Sequence, residues 1–420
     1  MRFKKFWLLA LVFLLAGSLL LAGCGDNDPA NNNDNNNNEV NGEEPGDDVV
    51  LNRYRGIFED GGVQQISVQF HLDEDGTIYD MSFRHLEYGG TDYRELEEDH
   101  ALYAVVQQHE QIIEYLEGKN IDDIDALHNP GDFIEDVDGM TGATVRANKV
   151  FSAMRDALNR GIYSPGNSVP DLQGDFEDGR YRGVFGDRGD QQMVVQFHLN
   201  GNIIEDMSYR HLYHGGNDYR EMEEGDALYP IVEQHEQIIE YLEGQDIRTV
   251  LADLHNPGDF IEDVDGFSGA TVRANKVYSA MMDGLARGLY APGNGVADLE
   301  GDFEDGRYRG TFGDRGDIQV GVQFHLNDNI IEDMSYRTLF HGGNDYREME
   351  EGHALYPIVQ QHEQIIEYLE GQDIRTVLKD LHNPDDFIED IDGFSGATVR
   401  ANKIYSAMRS ALARGVYQYR

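Results

Sequence analysis

A segment of about 110 residues, the size of an ordinary small domain, occurs three times in this chain. Each copy contains a very similar turn, which reads D-G-M-T-G-A-T-V-R-A-N-K at 138–149 and D-G-F-S-G-A-T-V-R-A-N-K at 265–276 and 392–403. The last threonines of the three turns, Thr144, Thr271 and Thr398, are 127 residues apart. This period is far longer than that of a solenoid unit, so the repetition predicts three domains arranged like beads on a string.

The residue pattern within a copy predicts strands first and helices later. In the second copy, apolar residues alternate with polar ones through 192–199, which is typical of a half-buried strand, and Asn200-Gly201-Asn202 predicts a hairpin turn. The predicted strands are 180–185, ending at a turn at 186–187, then 192–199 and 203–212; the predicted helices are 228–242, 247–254 and one after the repeated turn. The fold class is therefore predicted to be α+β, with a small antiparallel sheet packed with helices in each of three tandem copies behind a disordered N-terminal tether.

The N-terminal segment has the pattern of an export signal. Basic residues within 1–5 precede an apolar run over 6–20, and small residues then lead to Cys24. Leu-Ala-Gly-Cys at 21–24 resembles the lipobox of bacterial lipoproteins, which implies cleavage before Cys24 and lipidation of Cys24, the single cysteine. We therefore expect a lipid-anchored protein on the extracytoplasmic face of the cell membrane. A plain signal peptide or a single membrane anchor is the alternative.

Composition and turn residues divide the rest of the chain. The stretch after Cys24 is rich in Asn and Asp and cannot bury a core, so it predicts a flexible spacer. Pro-Gly pairs at 165–166 and 292–293 are turn signals between copies, where Leu172 and Phe176 are apolar enough to dock on a neighbour. The predicted parts are a lipoprotein signal peptide at 1–23, a lipid-anchored linker at 24–50, domain one at 51–163, a linker at 164–179, domain two at 180–290, a linker at 291–306 and domain three at 307–420.

Acidic residues dominate the composition. The chain carries 79 Asp and Glu against 33 Lys and Arg, a formal net charge of −46. A surface of this kind offers no basic face to displace counterions from phosphates, which argues against a nucleic-acid partner and against broad docking on an anionic membrane. We interpret the charge as a solvated acidic surface.

The repeated turn has the properties of an anion-binding helix start. Gly266 and Gly269 permit tight backbone geometry, and Ser268 or Thr271 stands where a helix begins. Free N–H groups and the helix dipole favour a phosphate at such a place. These few residues alone would equally suit a plain loop with a capping threonine.

The wider motif resembles the D-x-x-[ST]-G-A-T signature of the FMN-binding domain family, which occurs in ion-translocating redox complexes and in extracellular flavoproteins. In that family the last threonine carries FMN through a phosphoester bond, made from FAD by a magnesium-dependent flavin transferase. The resemblance covers nearly all of each copy, from a Y-x-G strand to a terminal helix with alanines. It implies three covalent FMN groups, on Thr144, Thr271 and Thr398.

The resemblance also assigns the other cofactor-binding residues by position. Those around the threonines are Asp138, Thr141, Gly142 and Ala143; Asp265, Ser268, Gly269 and Ala270; and Asp392, Ser395, Gly396 and Ala397. The chain departs from the family pattern just after the turn, where the candidates for phosphate contact are Arg146, Arg273 and Arg400. It departs again in the loop after the returning strand, where the candidate ring contacts are Tyr88, His214 and His341.

Histidines suggest no further site. His211 and His214 have the spacing of a metal pair, but the other copies lack it, so no metal site and no catalytic residue are predicted. Histidines also occupy apolar positions of the main helix, which is typical of satisfied core residues; contact with flavin is the alternative for His109, His235 and His362.

These features predict a surface-anchored electron carrier in extracellular electron transfer, rather than a catalyst with its own substrate. The partners implied by the resemblance are the flavin transferase, a membrane quinol-oxidising electron donor and an extracellular acceptor, besides membrane lipid at Cys24. Two other classes remain open: a non-redox surface binding protein that uses repeated domains for avidity, and a cation-binding acidic coat.

Overall fold

The computed structural model describes residues 49–136, 146–263, 273–293, 295–391 and 399–419. Within these ranges, no helix combines the length and the apolar character needed to cross a bilayer.

The first repeat is a four-stranded antiparallel sheet followed by helices. Its strands, in spatial order, are β1 (Asn52–Asp60), β2 (Val63–Leu72), β3 (Ile78–Tyr88) and β4 (Thr91–Asp92). Its helices are α1 (Tyr103–Leu116), a 3₁₀ segment (Ile121–His128) and α2 (Ala147–Asn159).

The second and third repeats have the same order of elements. The second contains β5 (Gly179–Asp187), β6 (Asp190–Asn200), β7 (Ile203–His214), β8 (Asn217–Asp218), α3 (Tyr229–Leu242), α4 (Ile247–Val250), α5 (Ala274–Arg287) and β9 (Ala291–Pro292), which pairs with β5. The third contains β10 (Gly306–Asp314), β11 (Asp317–Asn327), β12 (Ile330–His341), β13 (Asn344–Asp345), α6 (Tyr356–Leu369), α7 (Ile374–Val377) and α8 (Asn402–Arg414). The predicted α+β class, with strands before helices in each copy, is confirmed.

The first strand of the second repeat extends further than predicted, so its hairpin turn lies later in the chain. The sequence places the turn of the second repeat at 186–187, but β5 continues through Asp187 and the turn lies at Arg188-Gly189. The register shifts between Phe185 and Gly186, because Gln192 of β6 has no partner in β5, and the first hairpins of the other two repeats have the same bulge. Because a bulge bends its strand, it reorients this end of the hairpin, where Asp187 lies.

The last helix of each repeat crosses the first strand at a glycine. A Cβ on Gly183 would lie 1.8 Å from the carbonyl oxygen of Ala280 in α5. The equivalent approaches at Gly56 and Gly310 are 2.2 Å. Only a residue without a side chain fits at this crossing, so the glycine sets how closely helix and sheet can pack.

We expect Gly183→Ala to destabilise the second repeat by about 1–3 kcal/mol or more, since the added methyl group forces helix and strand apart. Urea unfolding measures the change. The matched control is Gly258→Ala, where a Cβ meets nothing within 4 Å; a surface change of this kind should stay within about 0.5 kcal/mol. Equal losses in the two variants would contradict the packing argument.

The segments between the repeats pack on the protein. The backbone N–H of Leu172 donates to the carbonyl of Arg248 at 2.8 Å, and that of Phe176 donates to Asn202 Oδ1 at 2.8 Å. Both apolar side chains lie against the core of the second repeat. The docking suggested by these apolar residues is therefore present.

The three repeats form a closed ring, so the prediction of separate beads is wrong. All three lie in one compact unit, and the helices α2, α5 and α8 pack on one another. Tyr417, near the C-terminus, is buried in the core of the first repeat, with its ring 5.7 Å from that of Phe58. The same stacking joins Tyr163 to Phe185 and Tyr290 to Phe312. Each repeat therefore inserts the tyrosine that follows its last helix into the next repeat, and the third closes on the first.

Candidate functional site

The motif residues themselves lie outside the described residues. These are Thr144, Thr271 and Thr398, with Asp138, Thr141, Gly142, Ala143, Asp265, Ser268, Gly269, Ala270, Asp392, Ser395, Gly396 and Ala397; Cys24 also lies outside. The structure does describe the arginine two positions after each threonine. Since consecutive Cα atoms are about 3.8 Å apart, the arginine Cα lies within about 8 Å of the threonine Cα. The surroundings of Arg146, Arg273 and Arg400 are therefore the described part of the chain nearest to the three motif threonines.

Each of these arginines stands at the start of the last helix. Arg146 is the N-cap residue of α2, and Arg273 that of α5; neither side chain makes a capping hydrogen bond. In the third repeat the N-cap is Ala401, and Arg400 before it has a φ of 50°. A helix start whose N-cap side chain accepts no backbone N–H suits an anion. The geometry is compatible with a phosphate beside the arginine.

A buried lysine follows in the first turn of each helix, and sequence reasoning missed it. Lys149 is 2% exposed; its Nζ donates to Gln65 Oε1 at 2.5 Å and lies 4.6 Å from the centre of the Tyr88 ring. Burial lowers the pKa of the Lys149 ammonium to about 8. Lys276 and Lys403 hold the same place and donate to glutamines of β6 and β11. The available signal was a lysine in the buried stripe of each helix.

The three candidate ring contacts share one place, the end of the returning strand. Tyr88 lies beside Lys149, and its buried hydroxyl has no hydrogen-bond partner in the described part of the chain. In the third repeat, burial lowers the pKa of His341, and the charges of Lys403 and Arg400 lower it further. His214 ends β7 and is half-buried. The structure thus brings this position next to the helix start in the first and third repeats.

A buried carboxylate at the end of the first strand comes within range of the lysine. Asp60 accepts hydrogen bonds from Arg337 at 2.7 Å and from Arg309 at 3.1 Å, and both arginines belong to the third repeat. Burial alone would raise the pKa of Asp60, but the bond from Arg337 and the charges of both arginines hold it below its usual value. Lys149 contributes in the same direction. We call Asp60, Lys149, Arg309 and Arg337 the first junction cluster.

The same cluster recurs at the other two junctions. Asp187 of the second repeat binds Arg84 at 2.8 Å and Arg55 at 3.5 Å, both from the first repeat. Asp314 of the third repeat binds Arg210 at 2.7 Å and Arg182 at 3.3 Å, both from the second. Lys276 and Lys403 complete these second and third junction clusters, since each lowers the pKa of its aspartate.

Grooves open beside the helix starts, between one repeat and the preceding one around the ring. The groove beside α2 has a volume of about 710 Å³ and contains Arg146 and His128 of the first repeat with Arg309, Tyr417 and Tyr419 of the third. The groove beside α8, about 430 Å³, contains Arg400 and His382 of the third repeat with Tyr290 of the second. Both volumes are in the range of small-molecule sites.

The histidines of the main helices are core residues in the structure. His109 is 2% exposed, and its Nδ1 donates to the carbonyl of Val105 at 2.7 Å. His362 makes the equivalent bond to Ile358. Nε2 of His211 lies 3.0 Å from the carbonyl oxygen of Gln191, across the hairpin from its own strand. The described residues contain no group of three or more side chains suited to hold a metal ion.

Comparison with protein families gives one result. Residues 61–159 match the family described as FMN-binding domain. The match extends from the first hairpin turn to the last residue of α2, so it spans the motif at 138–144 and the helix start at Arg146. Neither the curated proteins nor the solved structures contain a match to this chain. The first repeat of this chain therefore belongs to the FMN-binding domain family.

Proposed function

We propose that this chain is a surface-anchored electron carrier in which every repeat holds one FMN, joined by a phosphoester to Thr144, Thr271 or Thr398. The observation that carries the proposal is the FMN-binding domain match over 61–159. The second and third repeats share the fold of the first and the same motif. When bound, FMN supplies the redox chemistry, and the protein supplies attachment, orientation and local electrostatics.

The residues around the helix start fit this cofactor. The α2 N-terminus, whose N-cap residue Arg146 makes no side-chain cap bond, suits the phosphate, and the arginine side chain adds a positive charge. Lys149 in the first turn of α2 lies beside the ring of Tyr88. A cation and an aromatic face at this place suit contact with the flat, polar ring system of a flavin. The role of these residues is to bind and orient the cofactor.

Localisation and partners form the second part of the proposal. Lipid on Cys24 and the Asn-rich spacer would hold the ring close to the outer face of the membrane. A covalent bond keeps the cofactor on the protein where a dissociated flavin would be lost. The proposed partners are a flavin transferase that uses FAD and magnesium, a membrane quinol-oxidising donor and an extracellular acceptor.

Covalent flavin is expected only on the three motif threonines. We expect protein exported from a host with a flavin transferase to show denaturation-resistant fluorescence in a gel, lost in three steps as Thr144, Thr271 and Thr398 are changed to alanine. Peptide mass spectrometry identifies the modified threonine at each step. The matched control is Thr249→Ala, an exposed threonine of α4 whose hydroxyl donates to the Asp246 carbonyl.

A colourless protein despite an active transferase would contradict the proposal and favour a non-redox binding protein. Fluorescence that survives in the triple variant would place the flavin elsewhere. Cys24→Ser tests the anchor separately: we expect the folded, flavinylated protein to move from the membrane fraction to the medium.

A further inference from the structure

The cations beside each helix start come from two different repeats. In the first junction cluster, Lys149 belongs to the first repeat, whereas Arg309 and Arg337 reach across from the third. Burial lowers the pKa of Lys149, and the charges of Arg146, Arg309 and Arg337 lower it further, whereas Asp60 raises it. Four positive groups and one carboxylate, Asp60, therefore lie within electrostatic range of one helix start.

This concentration of positive charge is unusual for the chain. Its formal net charge is −46, yet the junction clusters each combine two arginines, one lysine and one aspartate, a formal sum of +2. Reduction of a flavin by two electrons and one proton, delivered by a quinol-type donor, leaves the cofactor one unit more negative. Positive charge nearby favours that reduced form, and burial strengthens the effect because screening is weaker there.

We propose that each flavin site is completed by the preceding repeat of the ring, whose two arginines set the reduction potential of the flavin. The flavin on Thr144 is then tuned by Arg309 and Arg337, at the far end of the chain. This inference rests on the proposed function and deepens it. It also means that residues 61–159, which match the family, do not contain the whole electrostatic environment of their own cofactor.

The test uses two full-length backgrounds that each keep one flavin. In the first, Thr271 and Thr398 are changed to alanine, so that only Thr144 is loaded; in the second, Thr144 and Thr271 are changed, so that only Thr398 is loaded. Arg337→Gln and Arg210→Gln are introduced into both. These residues hold the same place at different junctions and change the net charge equally, so each is the matched control of the other. Asp60 keeps Arg309, and Asp314 keeps Arg182, which protects the fold.

Spectroscopic redox titration should give a crossed result. Arg337→Gln lowers the potential of the Thr144 flavin and leaves the Thr398 flavin unchanged, and Arg210→Gln does the opposite. A unit charge removed at about 10 Å, with an effective dielectric constant of about 20, changes the equilibrium roughly tenfold. For a two-electron couple a tenfold change is about 30 mV. Asp60→Asn should raise the potential of the Thr144 flavin by the same logic.

Equal shifts in both backgrounds, or no shift in either, would overturn the inference while leaving covalent flavin binding intact. An absence of attached flavin in the unmodified protein would instead refute the proposed function. The two failures are therefore distinguishable, because mass spectrometry reports attachment and the titration reports tuning.

Discussion

Acidification from about pH 6.5 to pH 4 is expected to cost this protein much of its stability, because neutral histidines are buried in its cores or packed half-buried against buried tyrosines. Burial lowers the histidine pKa to about 4 for His109, His255, His362 and His382 and to about 3 for His235. Apolar and aromatic groups surround these rings, and Lys149, Lys276 and Lys403 add positive charge that lowers the pKa of the three helix histidines further. The ring of three repeats thus contains these five histidines with a strongly lowered pKa.

The sign follows from proton uptake. Between the unfolded pKa, near 6.5, and the folded pKa, near 4, the unfolded chain binds protons that the folded chain does not, so stability falls as pH falls. Each histidine contributes a slope of up to about 1.4 kcal/mol per pH unit, and the five together up to about 7 kcal/mol per pH unit. Protonation of the acidic surface relieves repulsion at the same time and acts in the opposite direction.

Histidine variants separate the two effects. His362→Gln keeps a donor for the Ile358 carbonyl but removes the titrating group. We expect the slope of unfolding free energy against pH to fall by up to about 1.4 kcal/mol per pH unit in this variant. Urea unfolding at a series of pH values measures it. His353→Gln makes the same substitution at an exposed position and controls for the change of side chain itself. An unchanged slope for His362→Gln would show that this histidine takes up no proton on unfolding.

The local fold could be predicted from the sequence because it depends on local patterns. Alternation over 192–199, the Asn-Gly-Asn turn and the helical spacing over 228–242 all correspond to elements that the structure contains. The position of the first turn differs because the pairing of β5 with β6 continues past a bulge at Gln192, which alternation cannot reveal. A period of 2 residues identifies a strand and one of 3.6 residues identifies a helix, whereas the position of a bulge depends on what the end of the strand packs against.

The ring could not be predicted, because the contacts that close it join residues far apart in the sequence, and many of these contacts are ion pairs. Arg55 meets Asp187 at a separation of 132 residues, and Arg337 meets Asp60 at 277. A surface rich in charge suggests solvation, and the sequence alone does not show which charges are paired. On α5, the residues Lys276, Asp283 and Arg287 have helical spacing and are all buried. This polar stripe resembles a solvent-facing side of an amphipathic helix until the neighbouring repeats are in place.

The sequence motif predicts Thr144, Thr271 and Thr398 as attachment sites, and the structure describes the residues that follow each of them. Arg146 was a candidate from its position after the turn, and it does stand at a helix start. No sequence pattern predicts that Arg309 and Arg337 contact the first repeat, since nothing in one repeat indicates which residues of another repeat will approach it. Asp60 compensates the charge of buried Lys149, whereas Arg309 and Arg337 of the third repeat lower the pKa of Lys149 further.

Charges buried between the helices connect the two ends of the chain. Asp156 in α2 accepts hydrogen bonds from Arg414 at 2.8 Å and from the backbone N–H of Ile57 at 2.9 Å, and its carboxylate lies 2.7 Å from Arg160 Nε. Both arginines are at most 1% exposed. Burial would raise the pKa of Asp156, but Arg160 and Arg414 hold it low, so the carboxylate stays charged. In α8 the equivalent residue is Ser410, and Arg414 therefore depends on the aspartate of the first repeat.

We expect Asp156→Asn to destabilise the ring by about 3–5 kcal/mol, because it leaves two buried guanidinium groups without their counterion. The matched control is Ser410→Ala, a buried, neutral change at the equivalent position of the third repeat, which should cost no more than about 1 kcal/mol. Thermal and urea unfolding measure both. Since Asp156 belongs to the first repeat and Arg414 to the third, Asp156→Asn should also expose the C-terminal segment around Tyr417 to proteolysis before the rest of the protein.

Replacement of the partner distinguishes a lost attraction from an unpaired charge. If the penalty arises from the uncompensated Arg414, then Asp156→Asn with Arg414→Met should be more stable than Asp156→Asn alone, since an apolar side chain of similar length needs no counterion. The coupling between the two positions should be about 0.5–3 kcal/mol in a double-mutant cycle. Additive losses would mean that Asp156 acts only within its own repeat, through Arg160 and Ile57, and that ring closure depends on the junction clusters and the buried tyrosines.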